Sequence, residues 1–268
     1  MPRVSVIMSV YNCNNFEALK ESIFSIIKQT FTDWELIIYN DGSKDNGKTT
    51  QFLNKIKYLD KRIRIIDNPE NKGLAYAKNQ MIKVATGEYI TAQDDDDISI
   101  EERLAKEVEF LDHHLEYAFV GTLATVFDHT GIWGHYDLKE KPTKYTFLWN
   151  SPFLHPSVMF RKEVFDKVGG YRISWETTRA EDYDLFMHLY SLGYQGYNIQ
   201  EDLYEYRIEN DPNKKYRPMK SRLQETKVRW QGFKKLGILT IGLPYVVKPV
   251  LIGLIPQKIF YLVRKKQY

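Results

Sequence analysis

The chain is poor in cysteine and histidine. Cys13 is alone among 268 residues, which excludes an intramolecular disulfide and a cysteine zinc cluster and makes a reducing, intracellular compartment the expectation. None of the six histidines sits in an H-E-x-x-H pattern, and the adjacent pair His113–His114 lacks the i, i+4 spacing that chelates a metal. His129, His135 and His188 read as structural or surface residues. No G-x-S-x-G marks a hydrolase nucleophile. Tyrosine and phenylalanine are plentiful (19 and 14), but no RNP-like pattern accompanies them, so no nucleic-acid partner is expected. Long apolar runs are missing too. Within the apolar stretch Leu236–Val263 the longest uncharged run, Leu236–Val247, has 12 residues, where a spanning helix needs about 20. Residues 1–10 carry no basic, signal-type pattern, so export is not expected.

What is present is globular. Hydrophobic residues make up 43% and charged residues 27%, with no repeat and no low-complexity bias. The net charge of +3 hides an asymmetry. Residues 1–213 hold 24 basic and 34 acidic side chains, a balance of −10, while residues 214–268 hold 14 basic side chains and the single acid Glu225, a balance of +13. A basic tail of this kind meets an anionic surface or forms a solvated face.

Strand and helix signals alternate along the first part of the chain. Val4–Val10, Trp34–Tyr39, Ile63–Ile66 and Glu88–Ala92 read as strands, and the segments near 16–27, 49–58 and 74–85 as helices. Ala118–Val126 and Pro156–Phe160 are further strand-like runs, and Glu181–Leu192 is helical in pattern. Such alternation implies an α/β fold, Rossmann-like, with a mainly parallel sheet flanked by helices. Ligands of such sheets bind beyond the carboxyl ends of the strands. Three polar clusters lie there: Ser9–Asn12, Asn40–Ser43 and Asp94–Asp97.

The run Asp94-Asp95-Asp96-Asp97 is the strongest chemical signal. Four like charges at one strand end repel unless a cation or hydrogen-bond donors offset them, and few carboxylate ligands suit Mg²⁺ or Mn²⁺ shared with a diphosphate. Its bland reading is a solvated acidic loop. A rival motif runs from Gly42 to Thr49 and satisfies G-x-x-x-x-G-K-[ST] with Lys48, the phosphate loop of nucleoside triphosphatases and kinases. Lys44 and Asp45 weaken it, because charged side chains sit where backbone N–H groups should wrap phosphate.

Three segments together carry a family resemblance: residues 2–12 (Pro-Arg-Val-Ser-Val-Ile-Met-Ser-Val-Tyr-Asn), residues 35–43 (Glu-Leu-Ile-Ile-Tyr-Asn-Asp-Gly-Ser), and residues 87–90 leading into Asp94-x-Asp96-Asp97. In this order they resemble the inverting family 2 glycosyltransferases of GT-A fold. Residues 71–79 are similar to that family's connecting segment. His155–Phe160, Gly169-Gly170-Tyr171 and Glu181–Leu185 are similar to its acceptor-side motifs. The match spans roughly residues 2–195 and departs from the pattern in two places: Asn40, where the family usually has Asp, and Lys78, where it usually has Arg.

The resemblance implies a GT-A domain over 1–212, with a nucleotide-sugar half over about 1–98 and an acceptor half over about 99–212, followed by a basic amphipathic helical extension over 213–268. It implies transfer of a sugar from a nucleoside diphosphate, UDP foremost, to a glycan or lipid-diphosphate-linked glycan, as in surface-polysaccharide assembly. Ser9, Tyr11 and Asp41 would line the base pocket. Lys78, Asp94 and Asp95 would lie along the donor, Asp96 would hold Mn²⁺ or Mg²⁺, Asp182 would be the general base, and His155 and Glu181 would face the acceptor. The bland reading of Glu181 and Asp182 is a pair of helix-start acids favoured by the macrodipole. Lys234-Lys235 before the proline-interrupted apolar stretch and Arg264-Lys265-Lys266 after it suit peripheral attachment to the inner face of the cell membrane. A packed helical pair, or a homodimer contact, is the alternative use of the same segment.

Overall fold

The computed structural model describes residues 1–209 and 217–254. Strand β1 (Val4–Val10) lies in register beside β2 (Trp34–Asp41), which pairs β3 (Ile63–Asn68), while β4 (Tyr89–Ala92) joins the other side of β1, all parallel. Helices α1 (Phe16–Ile27), α2 (Lys48–Ile56) and α3 (Leu74–Val84) make the crossovers. Asn15 caps α1, its Oδ1 accepting from the Ala18 amide at 3.1 Å.

The second half adds β5 (Ile98–Ser99), α4 (Arg103–His113), β6 (Phe119–Asp128), β7 (Gly131–Tyr136), β8 (Met159–Arg161), α5 (Lys162–Val168), α6 (Glu181–Ser191) and β9 (Gly196–Arg207). The sheet runs β3-β2-β1-β4-β8-β6-β9-β5, with β7 paired to β6. Short β8 is antiparallel to both β4 and β6 and so fuses the two halves into one sheet.

Period two decides which face each strand residue serves. Ile7 and Ile37 join the core under α3 and α6, whereas Val6, Met8, Leu36 and Ile38 join the core under α1 and α4. Both faces are covered, so these strands read as continuous apolar runs rather than as alternation. Three strands escape the sequence pattern, the two-residue β5 among them. In β9 the register against β6 shifts on both sides of Leu123, and β7 has no buried position.

The chain continues through α7 (Met219–Lys235) and α8 (Leu239–Gly253). A Cβ on Gly232 would lie 2.3 Å from Met187 Sδ of α6, and one on Gly242 would lie 2.5 Å from the Phe233 ring. Glycine therefore lets both helices pack at short distance. Val228, Phe233, Leu236, Ile238 and Val246 enter the same core as Phe186 and Met187. The prolines do not break the apolar stretch as expected: α8 runs through Pro244 and Pro249. Each forfeits a backbone bond and about 3 kcal/mol of helix propensity, which burial of Gly242, Val246 and Pro249 offsets through tertiary packing. Pro256, Lys258 and Arg264-Lys265-Lys266 lie outside the described residues. Among the described residues no helix is long and apolar enough to cross a membrane.

Candidate active site

The carboxyl ends of β1, β2 and β4 converge as the open-sheet rule requires. Ser9 is the penultimate residue of β1, in register with Tyr39, and Tyr11 follows the strand, 48% exposed. The two strand ends are tied together: the Asn12 amide donates to Ser43 Oγ at 2.9 Å and the Lys44 amide to Asn12 Oδ1 at 2.6 Å. Asp41 is buried, and its carboxylate accepts from the Lys72 amide at 2.9 Å and the Gly73 amide at 2.8 Å. These bonds hold the 70–73 segment over the strand end. Gly42 makes that closeness possible, because a Cβ there would lie 2.3 Å from the Glu70 carbonyl carbon and its φ is +69°.

Asn40 links the strand-end loop to its neighbours, its Oδ1 accepting from the Ser43 amide at 3.3 Å. Its Nδ2 donates to Asp67 Oδ1 at 2.9 Å and to Thr50 Oγ1 at 3.0 Å, and Asp67 is its partner in the β2–β3 register. An aspartate here would oppose Asp67, so the departure at Asn40 answers a neighbour on β3.

The phosphate-loop alternative fails on the same loop. Asp45 Oδ2 accepts from the Thr49 amide at 3.0 Å and from Thr49 Oγ1 at 2.6 Å. The protein's own carboxylate fills the helix N-terminus that a phosphate would need, and Lys48 is exposed.

Beyond β4 the four aspartates separate by role. Asp97 is buried, its Oδ1 accepting from the Arg207 amide at 2.7 Å and its Oδ2 from Tyr204 at 3.0 Å. It anchors β9. Arg207 returns the contact, donating to the Asp96 carbonyl at 2.6 Å and to Glu21 at 2.7 Å. Burial pushes Asp94 up to about 6, against the pull of Lys78, and burial with Asp96 and Asp94 pushes Asp95 up to about 7. Asp96 is the exposed member.

On the other wall, Asp182 occupies the first turn of α6 beside Glu181. Burial, then the neighbouring Glu181, pushes its carboxyl up to about 6, while Lys78 and Arg217 oppose the shift. The helix N-terminus should favour its anion; desolvation wins. Lys78 of α3 is buried, and its ammonium lies 3.2 Å from Glu181 Oε1 and 3.5 Å from His155 Nδ1. An ammonium can only donate, so His155 Nδ1 accepts and its Nε2–H faces the Tyr171 hydroxyl at 2.6 Å. Burial, then Lys78, holds His155 well below its usual value, so this imidazole is neutral.

The structure thus brings Lys78, His155 and Glu181 into one buried network and sets Asp94 and Asp182 within its field. Sequence reasoning missed three supporting residues. Tyr171 stood in a quoted motif with no role. Arg207 lies on the unrecognised strand β9. Buried Arg103 binds the carbonyls of Pro156 (2.8 Å) and Ala92 (3.1 Å), fixing the His155 turn against the end of β4; it had no signal beyond its place after the aspartates.

The residues fit a divalent cation. Asp94, Asp95, Glu181 and Asp182 bring four carboxyl groups to a half-buried cleft where Lys78 and Arg217 are the opposing cations acting on Asp182. They do not form an all-protein cage. Among the described residues the group of three or more His, Cys, Asp or Glu with ligand atoms within 4.8 Å of one another is Asp128 and His129 at the β6–β7 turn with Glu209, which follows β9. A metal that shares its ligands with a bound diphosphate matches the sparser arrangement at 94–96.

The sequence model of glycosyl transferase family 2 matches residues 5–169. EpsE of Bacillus subtilis (strain 168), classed as a glycosyltransferase, is 36% identical over 266 residues, which are 99% of this chain and 94% of that protein. Among solved structures, S. aureus TarS 1–349 in complex with UDP-GlcNAc matches with a TM-score of 0.72 at 19% identity, over 99% of this chain and 81% of that one. The mannosyltransferase PcManGT from Pyrobaculum calidifontis, in complex with GDP-Man and Mn²⁺, matches with a TM-score of 0.65 at 18% identity, over 99% and 84%. At these identities the structural likeness carries the fold, a GT-A sheet flanked by helices.

Proposed function

Since the chain belongs to glycosyl transferase family 2, we propose that this glycosyltransferase moves a sugar, with inversion, from a UDP-sugar to a hydroxyl of a glycan or lipid-diphosphate-linked glycan. The observation that carries the reading is the meeting of two carboxylate walls, Asp94–Asp96 and Glu181–Asp182, around the buried ammonium of Lys78. One wall serves the donor and the other the attacking hydroxyl.

Asp41 and the ends of β1 and β2 take the base, with Ser9 and Tyr11 beside it, and Asp94 and Asp95 take the ribose. Asp96 holds Mn²⁺ or Mg²⁺, which when bound offsets the charge that grows on the departing diphosphate. Asp182 accepts the proton of the acceptor hydroxyl. With a value of about 6 it is mostly ionised at neutral pH yet more basic than an ordinary aspartate. Lys78 holds Glu181 at 3.2 Å and thereby keeps the second acid of α6 aside from the first. The basic extension places the protein on the inner face of the cell membrane, where a lipid-linked acceptor is presented.

Calorimetric binding of UDP, GDP, dTDP and ATP, each with Mn²⁺, Mg²⁺ or EDTA, tests this. UDP should bind tightest and need the metal. Preference for GDP or dTDP would change the donor, and metal-independent binding would reject the role of Asp96.

A further inference from the structure

Helix α7 lies beyond residues 5–169, the part of the chain that the family model matches. One of its side chains is nevertheless tied into the wall that carries Asp182. Arg229 is 1% exposed, and each nitrogen of its guanidinium has a partner. Nε donates to Glu225 Oε1 at 3.0 Å, one turn earlier in α7. Nη1 donates to the Leu148 carbonyl at 3.0 Å, and Nη2 to the Trp149 carbonyl at 3.1 Å and to Asn150 Oδ1 at 3.4 Å. The planar fork thus holds two successive carbonyls of one turn, a geometry that the point charge of a lysine does not reproduce.

The same turn is held from α6. The Tyr183 hydroxyl donates to the Phe147 carbonyl, and the Arg229 guanidinium carbon stands 5.1 Å from the centre of the Tyr183 ring. Tyr183 is buried and follows Asp182 in the first turn of α6, and its amide donates to Asp182 Oδ1 at 2.7 Å. One residue therefore meets the carboxylate through its amide and the Arg229-held turn through its hydroxyl. A second α7 side chain braces the loop that leads into α6: buried Gln224 donates from Nε2 to the Trp175 carbonyl at 2.6 Å.

Stability alone is a poor reason for this arrangement. Burying a guanidinium carries a desolvation cost, and replacing a buried ion pair by apolar residues of similar volume is often neutral or stabilising. Val228 and Phe233 already supply apolar packing on the inward face of α7. What an apolar residue at 229 would not supply is direction. The four bonds of Arg229 fix where the 147–150 turn and the Tyr183 ring sit relative to one another.

We propose that Arg229 is a positioning residue for the acceptor side of the reaction: by clamping the 147–150 turn and the Tyr183 ring, it sets the orientation of the Asp182 carboxylate. Helix α7 is then part of the catalytic unit. The inference deepens the proposed function and rests on its assignment of Asp182 as the base. The charged groups that act on Asp182 are Glu181 of its own helix, Lys78 of α3, Arg217 ahead of α7 and Asp94 beyond β4. Arg229 works through Tyr183, whose ring it faces.

Carboxyl ¹³C NMR of the metal-free full chain tests it, with aspartate labelled and the Asp182 signal assigned from Asp182→Asn. Arg229→Lys keeps the charge and loses the fork. The Tyr183 amide bond holds the Asp182 midpoint down, so loosening it should move that midpoint upward by about half a pH unit or more. Tyr183→Phe, which keeps the amide and loses the tether, should move it in the same direction. The double variant should move it no further than the larger single change, because the two residues act in series. Glu225→Gln, which frees the Nε end, is the milder change should Arg229→Lys not fold. Removing that acid lowers the Asp182 midpoint by charge alone, so an upward move there reports the loosened clamp. The midpoint of Asp60, bonded to Arg62 away from the cleft, should stay in place. UDP affinity with Mn²⁺, by calorimetry, should stay within a few-fold, because the ends of β1, β2 and β4 are untouched. An unmoved Asp182 midpoint in the folded variants, additive shifts in the double variant, or an equal shift of Asp60 would overturn the proposal. Failure of the wild-type chain to bind UDP would instead strike the donor reading and leave the NMR result standing.

Discussion

Lys78 and Glu181 form a buried ion pair, Nζ to Oε1 at 3.2 Å, that joins α3 to α6. Both side chains are less than a tenth exposed. Removing one partner strands the other charge, at a cost of about 3–5 kcal/mol. Lys78→Met should therefore lower stability by that order in urea denaturation, and Lys78→Met/Glu181→Gln should recover much of it. Lys78 also opposes the upward shift of Asp182, so Lys78→Met should move the acid limb of kcat/KM upward from about 6, and Lys78→Arg should leave it in place.

The raised carboxylates make stability depend on pH. Asp94 and Asp182 lie at about 6 and Asp95 at about 7, above the unfolded value of about 3.9. Their contribution is fully present below that unfolded value and is lost as pH rises through the folded values, because the unfolded chain ionises first. Melting of the metal-free protein should fall across this window. Mn²⁺ offsets the charge, so the melting rise it produces should be larger above about pH 7 than below about pH 4. An equal rise at both would place the metal elsewhere.

Asn40 Nδ2 donates to Asp67 Oδ1 across the β2–β3 pair. Asn40→Asp should cost about 1–3 kcal/mol, the penalty for an unsatisfied buried group, and Asp67→Asn should restore stability in the double variant. The ranking of UDP, GDP and dTDP by calorimetry should not change in either. A switch in ranking would give Asn40 a part in nucleotide choice.

Arg207 fixes the Asp94–Asp97 loop by its bond to the Asp96 carbonyl. Arg207→Ala should weaken Mn²⁺-dependent UDP binding several-fold with little loss of affinity measured in EDTA. Equal loss under both conditions would make Arg207 a general structural residue.

The sheet was legible where both of its faces are covered. Val4–Val10 and Trp34–Asp41 are continuous apolar strands, and the polar clusters at their ends converge as the topology rule requires. Strand β9 was not legible, because its register shifts break the alternation, and with it went Arg207. The role of Asn40 depends on Asp67, 27 residues away across a strand pair, which no local pattern encodes. The prolines of α8 misled because propensity is local, whereas the packing of Gly242 against Phe233 is not.

The central claim is that Asp182 takes the acceptor proton. Its most direct test is UDP release from UDP-sugar and acceptor by Asp182→Asn, set beside UDP affinity by calorimetry. Transfer should fall by about 10²–10⁴-fold with UDP affinity unchanged within a few-fold. Transfer at the unaltered rate would contradict the assignment and place the base on another residue.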